Sequence, residues 1–195
     1  GEGDFCMCRR YENKHIFMVA SFGIALLIPV FLLLLPSSIA DVLYFDRANW
    51  IIYLPFEIYL TYGIGLLLWL VSSLLLWLLN LNKWSIIFTG AAVLCSGALF
   101  YFASQAYIII KDDSIAVKSL FQSEEKVYSW NEIEKVVYYE VPPEQKGNSV
   151  IQLVFTEDEI IELSENGYVA PIKTAMFDKV RKLEKEVVYA DGSAK

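Results

Sequence analysis

WSIIFTGAAVLCSGALFYFA (Trp84–Ala103) runs directly into SQAYIIIKDDSIAVKSLF (Ser104–Phe121), and the change of character at that junction decides the fold. The first stretch is 20 residues without Asp, Glu, Lys, Arg or His. At about 1.5 Å per residue, a helix of that length covers the roughly 30 Å hydrocarbon core of a bilayer. The second stretch is β-rich, turns at Asp112-Asp113 and then alternates, which is the signature of strands in water.

Working outward, two more uncharged runs precede the junction: Ile16 to Pro36, 21 residues, and Ile58 to Leu79, 22 residues. Backbone polar groups in lipid need internal partners, so all three runs should be helices. Pro29 should bend the first. A cleavable signal peptide fits that run poorly, because it is too long and lacks a clean small-x-small site. Asn80-Leu81-Asn82-Lys83 is so short a link that the second and third spans must form an antiparallel hairpin, flanked by Trp77 and Trp84 at headgroup level. The longer link, Ser37 to Glu57, carries Asp41, Asp46, Arg47 and five aromatics, and reads as a segment lying along the bilayer surface. Gly90, Gly97 and Ser104 recur every seven residues, a small-residue face on which a neighbouring span or a second copy of the chain would pack.

The chain is 56% hydrophobic, above the roughly 45–50% of soluble proteins. Ser104 to Lys195 holds 11 Lys+Arg against 17 Asp+Glu, a net −6, as expected of a soluble acidic domain. That balance argues against nucleic acid as a partner. Basic residues near the spans (Arg9, Arg10, Lys14 and Lys83 against Arg47, Lys111 and Lys118) are nearly even between the two sides, with the N-terminal cluster leaning toward an outside soluble domain. The organisation expected is a tail over 1–15, a three-helix transmembrane region over 16–103, a soluble domain over 104–189 and a tail over 190–195.

Within the soluble part, short strands are expected at Ala106–Lys111, Ser114–Phe121, Lys126–Trp130, Lys135–Val141, Val150–Phe155 and Glu159–Leu163. A single turn at Asn131-Glu132-Ile133-Glu134 and a loop at Pro142–Asn148 interrupt them. Short turns imply antiparallel pairing. Pro171 then opens a helix whose apolar stripe is Ile172, Met176, Val180, Leu183 and Val187. The stripe reads as a core face, with a membrane-surface helix as the alternative.

This segment, Tyr107 to Val188, resembles the bacterial pleckstrin-homology-like (PH-like) domains attached to membrane spans. The resemblance is carried by Tyr107-Ile108-Ile109-Ile110, the hairpin Asp112-Asp113-Ser114-Ile115 and the run from Val127 through Trp130 to Val136, with the closing helix. It implies an α+β PH-like split β-barrel with a C-terminal helix, so that the fold class expected is an α-helical membrane region of three transmembrane helices, read from the uncharged runs, followed by that barrel. It further implies a binding or assembly role, which in some small members is protection against a membrane-active peptide, and a cytoplasmic domain, opposite to the lean of the charges. Phosphoinositide binding is not implied, because the β-turn expected to carry basic residues is Asp112-Asp113.

Chemistry is sparse. His15 is the sole histidine and no cysteine lies in the soluble part, so histidine triads and zinc sites lack parts there. Cys6 and Cys8 read as free thiols or as acylation sites near the membrane, and Cys95 as a packing residue. Gly63-Ile64-Gly65 lies in a span and is no phosphate loop. Glu157-Asp158-Glu159 and Glu124-Glu125 read as solvated turns, with cation attraction the sharper reading of the first. Trp130 reads as a core or rim aromatic, with ligand stacking as the alternative. No catalytic residue, cofactor or metal is expected. The partners expected are membrane lipid and another protein, with homo-oligomers allowed. The expected function is non-enzymatic binding or assembly at the bilayer surface. The rivals are a transport or channel accessory subunit, disfavoured by uncharged spans, and a lipid-directed enzyme using Asp41, Asp46 and Glu57.

Overall fold

The computed structural model describes residues 2–79, 82–122, 124–142, 147–156 and 159–191. Asn80-Leu81 of the short link, Pro143 to Lys146 of the loop and Glu157-Asp158 lie outside the described residues, as do the side chains of Cys6, Cys8, Arg9, Arg10 and Lys14. The chain divides into two units, one formed by 1–43 with 56–106 and the other by 44–55 with 107–195.

The first unit is helical: α1 (Glu2–Tyr44), α2 (Phe56–Leu78) and α3 (Lys83–Ser104). His15–Tyr44 of α1, α2 and α3 are each long and apolar enough to cross a membrane. Helix α1 continues through Pro29 and Pro36 to Tyr44, eight residues beyond the expected end of the span. The three helices are held by small and polar side chains. Ser21 Oγ donates to Ser73 Oγ at 2.9 Å, and Ser73 donates to the Phe17 carbonyl at 3.2 Å. Trp69 Nε1–H donates to Ser96 Oγ at 2.6 Å. The Phe100 ring stacks on Tyr62 at 5.4 Å and meets Trp69 edge-on at 5.9 Å. Gly65 is what allows this approach, since a Cβ there would stand 2.4 Å from the Phe100 ring. The expectation that Gly90 and Gly97 pack on a neighbouring span is overturned: a Cβ at either would meet nothing within 4 Å. Close helix contact in this unit runs through Gly65, on the second span, instead.

The second unit is a sandwich of two four-stranded sheets with one helix. Sheet order is β1-β2-β3-β4 in one and β7-β6-β5-β8 in the other. The strands are β1 (Asn49–Tyr53), β2 (Tyr107–Lys111), β3 (Ser114–Lys118), β4 (Lys126–Ser129), β5 (Ile133–Glu140), β6 (Val150–Phe155), β7 (Ile160–Ser164) and β8 (Glu186–Asp191); the helix is α4 (Ala170–Lys182). A 3₁₀ turn, Trp130–Glu132, carries the chain from β4 to β5. Its cap is Ser129, not Asn131: Ser129 Oγ accepts from Asn131 N–H, and Glu132 reaches back to Ser129 N–H at 3.0 Å. The main core has Ile110, Ile115, Ile133, Val136, Ile151, Leu153 and Leu163 from the sheets and Met176 and Val180 from α4.

Three expectations are corrected here. Asn49–Tyr53, read as part of a segment lying along the bilayer surface, is a strand that pairs antiparallel with β2: Ile51 faces Ile110, Ile52 faces Ile109 and Tyr53 faces Ile108. Among the described residues the strands are eight where six were expected, β1 and β8 being the additions. The helix ends at Lys182 and not at Val187. Glu184 takes a left-handed conformation (φ 58°), Lys185 N–H bonds the Val180 carbonyl and Glu184 N–H the Arg181 carbonyl, closing the helix in a Schellman motif. The chain then forms β8, which runs parallel to β5, so pairing is not wholly antiparallel. Asn166 caps the turn that leads into α4, its Oδ1 accepting from Tyr168 and Val169 N–H.

Sheet β1-β2-β3-β4 is apolar on both faces. Ile51, Tyr53, Ile108, Ile110 and Ile115 enter the main core, while Tyr107, Ile109 and Ala116 form a second cluster with Ile52, Leu54 and Tyr44. Alternate residues of a strand point to opposite faces, so a doubly buried strand reads as an unbroken apolar run. Trp50-Ile51-Ile52-Tyr53 and Tyr107-Ile108-Ile109-Ile110 are two such runs.

Candidate binding site at the interspan strand

The residues of β1 are tied into the second unit by side chains as well as by the ladder. Tyr53 Oη accepts from Ser164 N–H at 3.1 Å, joining β1 to the end of β7 across the sandwich. Trp50 lies against Trp130, ring centroids 5.8 Å apart at 41°. Trp130 is fixed by its own Nε1–H, which donates to the Lys111 carbonyl at 3.1 Å. Lys179, in the last turn of α4, places its ammonium 5.4 Å from the Trp50 ring and 5.6 Å from the Trp130 ring. The same ammonium donates to the Asp112 carboxylate at 2.7 Å and to the Asp112 backbone carbonyl. Two indole faces and a carboxylate around one cation are a cation–π site with a formal counter-charge. Asp112 is 79% exposed and Lys179 25%, so the cluster opens to solvent on the carboxylate side.

Two further polar clusters lock elements together. Glu165 accepts from Lys173 at 2.6 Å and from the Tyr138 hydroxyl at 2.7 Å, with the Lys173 ammonium 4.8 Å above the Tyr138 ring. Burial pushes the Glu165 carboxyl up, but these hydrogen bonds outweigh it and hold it below its ordinary range. The hydrogen bond to Glu165 raises Lys173 against the opposing effect of burial. Glu159 takes hydrogen bonds from Lys126 and Tyr128, which lower its pKa and join β4 to the turn before β7. A cavity of about 230 Å³ beside it is lined by Val127, Tyr128, Glu132, Phe155 and Thr156. Burial and the Glu125 carboxylate, which accepts from its hydroxyl at 3.0 Å, push Tyr107 up.

The structure disperses the residues singled out from sequence. His15 and Asp41 lie on α1 and Glu57 opens α2, while Asp46 caps the turn before β1, accepting from Ala48 N–H at 3.1 Å. Cys95 is exposed on α3. Among the described residues no group of three His, Cys, Asp or Glu is placed to hold a metal ion. Trp130 is buried and belongs to the core and to the cation cluster at once. Trp50 and Lys179 were missed by sequence reasoning. The available signal was Trp50-Ile51-Ile52-Tyr53, a β-type run between a turn and Pro55. Comparison with known proteins finds no matching family model, no matching curated protein and no matching solved structure.

Proposed function

We propose that this protein is a multi-pass membrane protein whose PH-like second unit is a non-enzymatic binding or assembly module held at the bilayer surface. The observation that carries this reading is the pairing of β1 with β2. Strand β1 lies between the first and second helices and β2 follows the third, so two crossings separate them and return the chain to one side of the membrane. The pairing is therefore what a chain that crosses the bilayer twice between β1 and β2 allows, and it supports the three-span reading. Chain passages at Tyr44, Pro55 and Ala106 then tether the module at three points. Two meandering sheets closed by a helix support the PH-like assignment, with β1 and β8 as additions to it. The shifted groups Glu159, Glu165 and Lys173 are engaged in contacts that join elements, which supports binding over catalysis. The hydroxyls of Ser21, Ser73 and Ser96 are likewise engaged between or along helices, which supports packing over a transport path.

The test is affinity capture from solubilised membranes with the full chain and with a chain ending at Ser104. Partners specific to the full chain are expected, and identical partners for both refute a binding role for the module. Cysteines placed at Arg47 and Ser149 should label from the same side of sealed vesicles, and one at Lys83 from the other. Labelling of Arg47 and Ser149 from opposite sides refutes the three-span topology.

A further inference from the structure

We propose that Trp50, Trp130 and Asp112 form a cage for a primary alkylammonium ion, that Lys179 is its built-in occupant, and that the ion taken in exchange is the ethanolamine headgroup of a membrane phospholipid. The cage already holds a CH₂–NH₃⁺ group: Lys179 lies within 6 Å of both indole rings and donates to the carboxylate and the carbonyl of Asp112. Ethanolamine ends in the same group and can make the same bonds. A quaternary ammonium would keep the ring contacts but could not donate to the Asp112 carbonyl.

The exchange is feasible because the cage opens to solvent on the side of Asp112, which is 79% exposed, and the incoming amine remakes the ring contacts and hydrogen bonds that Lys179 gives up. It also balances charge. The incoming amine faces Asp112, and the displaced Lys179 ammonium, still anchored beside the cage on α4, faces the headgroup phosphate. A zwitterionic phosphoethanolamine group therefore leaves neither protein charge unpaired, and an amine without a phosphate leaves Lys179 without a counter-charge.

A lipid is favoured as the source by where Trp50 sits in the chain. It lies six residues after α1 ends and six before α2 begins. Six extended residues reach at most about 20 Å, so one wall of the cage is confined near the ends of two membrane-length helices. This choice of source rests on the membrane reading above; the cage itself does not.

The experiment uses the full chain in a detergent free of amines, with tryptophan fluorescence as readout. Glycerophosphoethanolamine should saturate the unaltered chain at least ten-fold more tightly than ethanolamine. In Lys179→Met the empty cage should bind ethanolamine more tightly than the unaltered chain does, and the preference for the phosphorylated ligand should disappear. Trp50→Leu should weaken both ligands ten-fold or more, and tetramethylammonium should bind less well than methylammonium throughout. No saturable binding to Lys179→Met, or binding unchanged by Trp50→Leu, overturns the cage. If Lys179→Met, Lys179→Gln and Trp50→Leu all fail to fold, the cluster is a structural rivet and the proposal is likewise overturned.

In nanodiscs, phosphatidylethanolamine should raise the thermal midpoint of the unaltered chain but not of Trp50→Leu, relative to phosphatidylglycerol alone. Binding of the soluble amines without this lipid effect, or tighter binding of a short lysine peptide than of glycerophosphoethanolamine, overturns the lipid source. Failure of the cage leaves the capture comparison unaffected, because that compares the full chain with one ending at Ser104 and alters none of the cage residues singly.

Discussion

Replacing Ile51 by Ala tests whether the link between the first two helices is part of the second unit's core. Ile51 is 8% exposed, packs in the main cluster and faces Ile110 across the ladder. The substitution removes about three methylene equivalents, worth roughly 2.4 kcal/mol at ~0.8 kcal/mol each. Incomplete collapse of the cavity raises such losses to about 2–5 kcal/mol. The second unit has about 100 residues, a size at which 1 kcal/mol shifts the thermal midpoint by roughly 4–8 °C. The ~2.4 kcal/mol alone lowers the midpoint of that unit by about 10–20 °C, and an uncollapsed cavity lowers it further, as followed by near-ultraviolet circular dichroism of the full chain in detergent. Phe45, in the same link but 76% exposed, is the control: its change to Ala should stay within about 0.5 kcal/mol, as surface substitutions do. If Ile51→Ala and Phe45→Ala shift the midpoint equally, or neither moves it by more than about 2 °C, then β1 is not an integral strand and the topology argument fails with it.

Acid should weaken the second unit. Glu159 and Glu165 both have lowered pKa values in the fold, so their contribution is full above the unfolded value of about 4.5 and is lost as pH falls through the lowered folded values. Thermal midpoints from neutrality down to about pH 3 should decline most below pH 4.5, with a shallower decline in Glu165→Gln. Lys173 is raised, so its share is full below 10.5 and is lost as pH rises beyond it; a midpoint that held steady from pH 9 to about 12 would contradict this. Gly65→Ala should destabilise the α2–α3 contact by about 1–3 kcal/mol through overpacking on Phe100, with partial rescue by Phe100→Ala, read from the denaturant needed to unfold the helices in mixed micelles. Glu184→Gly should stabilise by about 0.5–1 kcal/mol, since relief of the left-handed strain exceeds the added chain entropy, and should raise the thermal midpoint by a few degrees.

Strands β2 to β7 were legible because each is bounded by turn chemistry: Asp112-Asp113, the Ser129–Glu132 capping box, Pro142 and the Thr156 turn. Helices α2 and α3 and the apolar part of α1 were legible because length and absence of charge suffice, and α4 because Pro171 opens an apolar stripe at helical spacing. Strand β1 was not, because its aromatics sit between two long apolar runs, where Trp and Tyr are equally suited to the headgroup region. Strand β8 was hidden by Val187, which continues the helical spacing of Ile172, Met176, Val180 and Leu183; only the geometry at Glu184 ends the helix. The contacts of the candidate site join Trp50 to Trp130 and Lys179, positions too distant in sequence for periodicity to relate.

Strand β1 is also made early. Its pairing partner lies about sixty residues later in the chain, beyond two membrane-length helices. At synthesis rates of roughly 5–20 residues per second, Trp50-Ile51-Ile52-Tyr53 waits several seconds as a bare, sticky segment before Tyr107–Lys111 exists to receive it. The sandwich therefore closes only after α3 has been made, and a nascent chain stalled anywhere before β2 exposes a strand with no sheet to join.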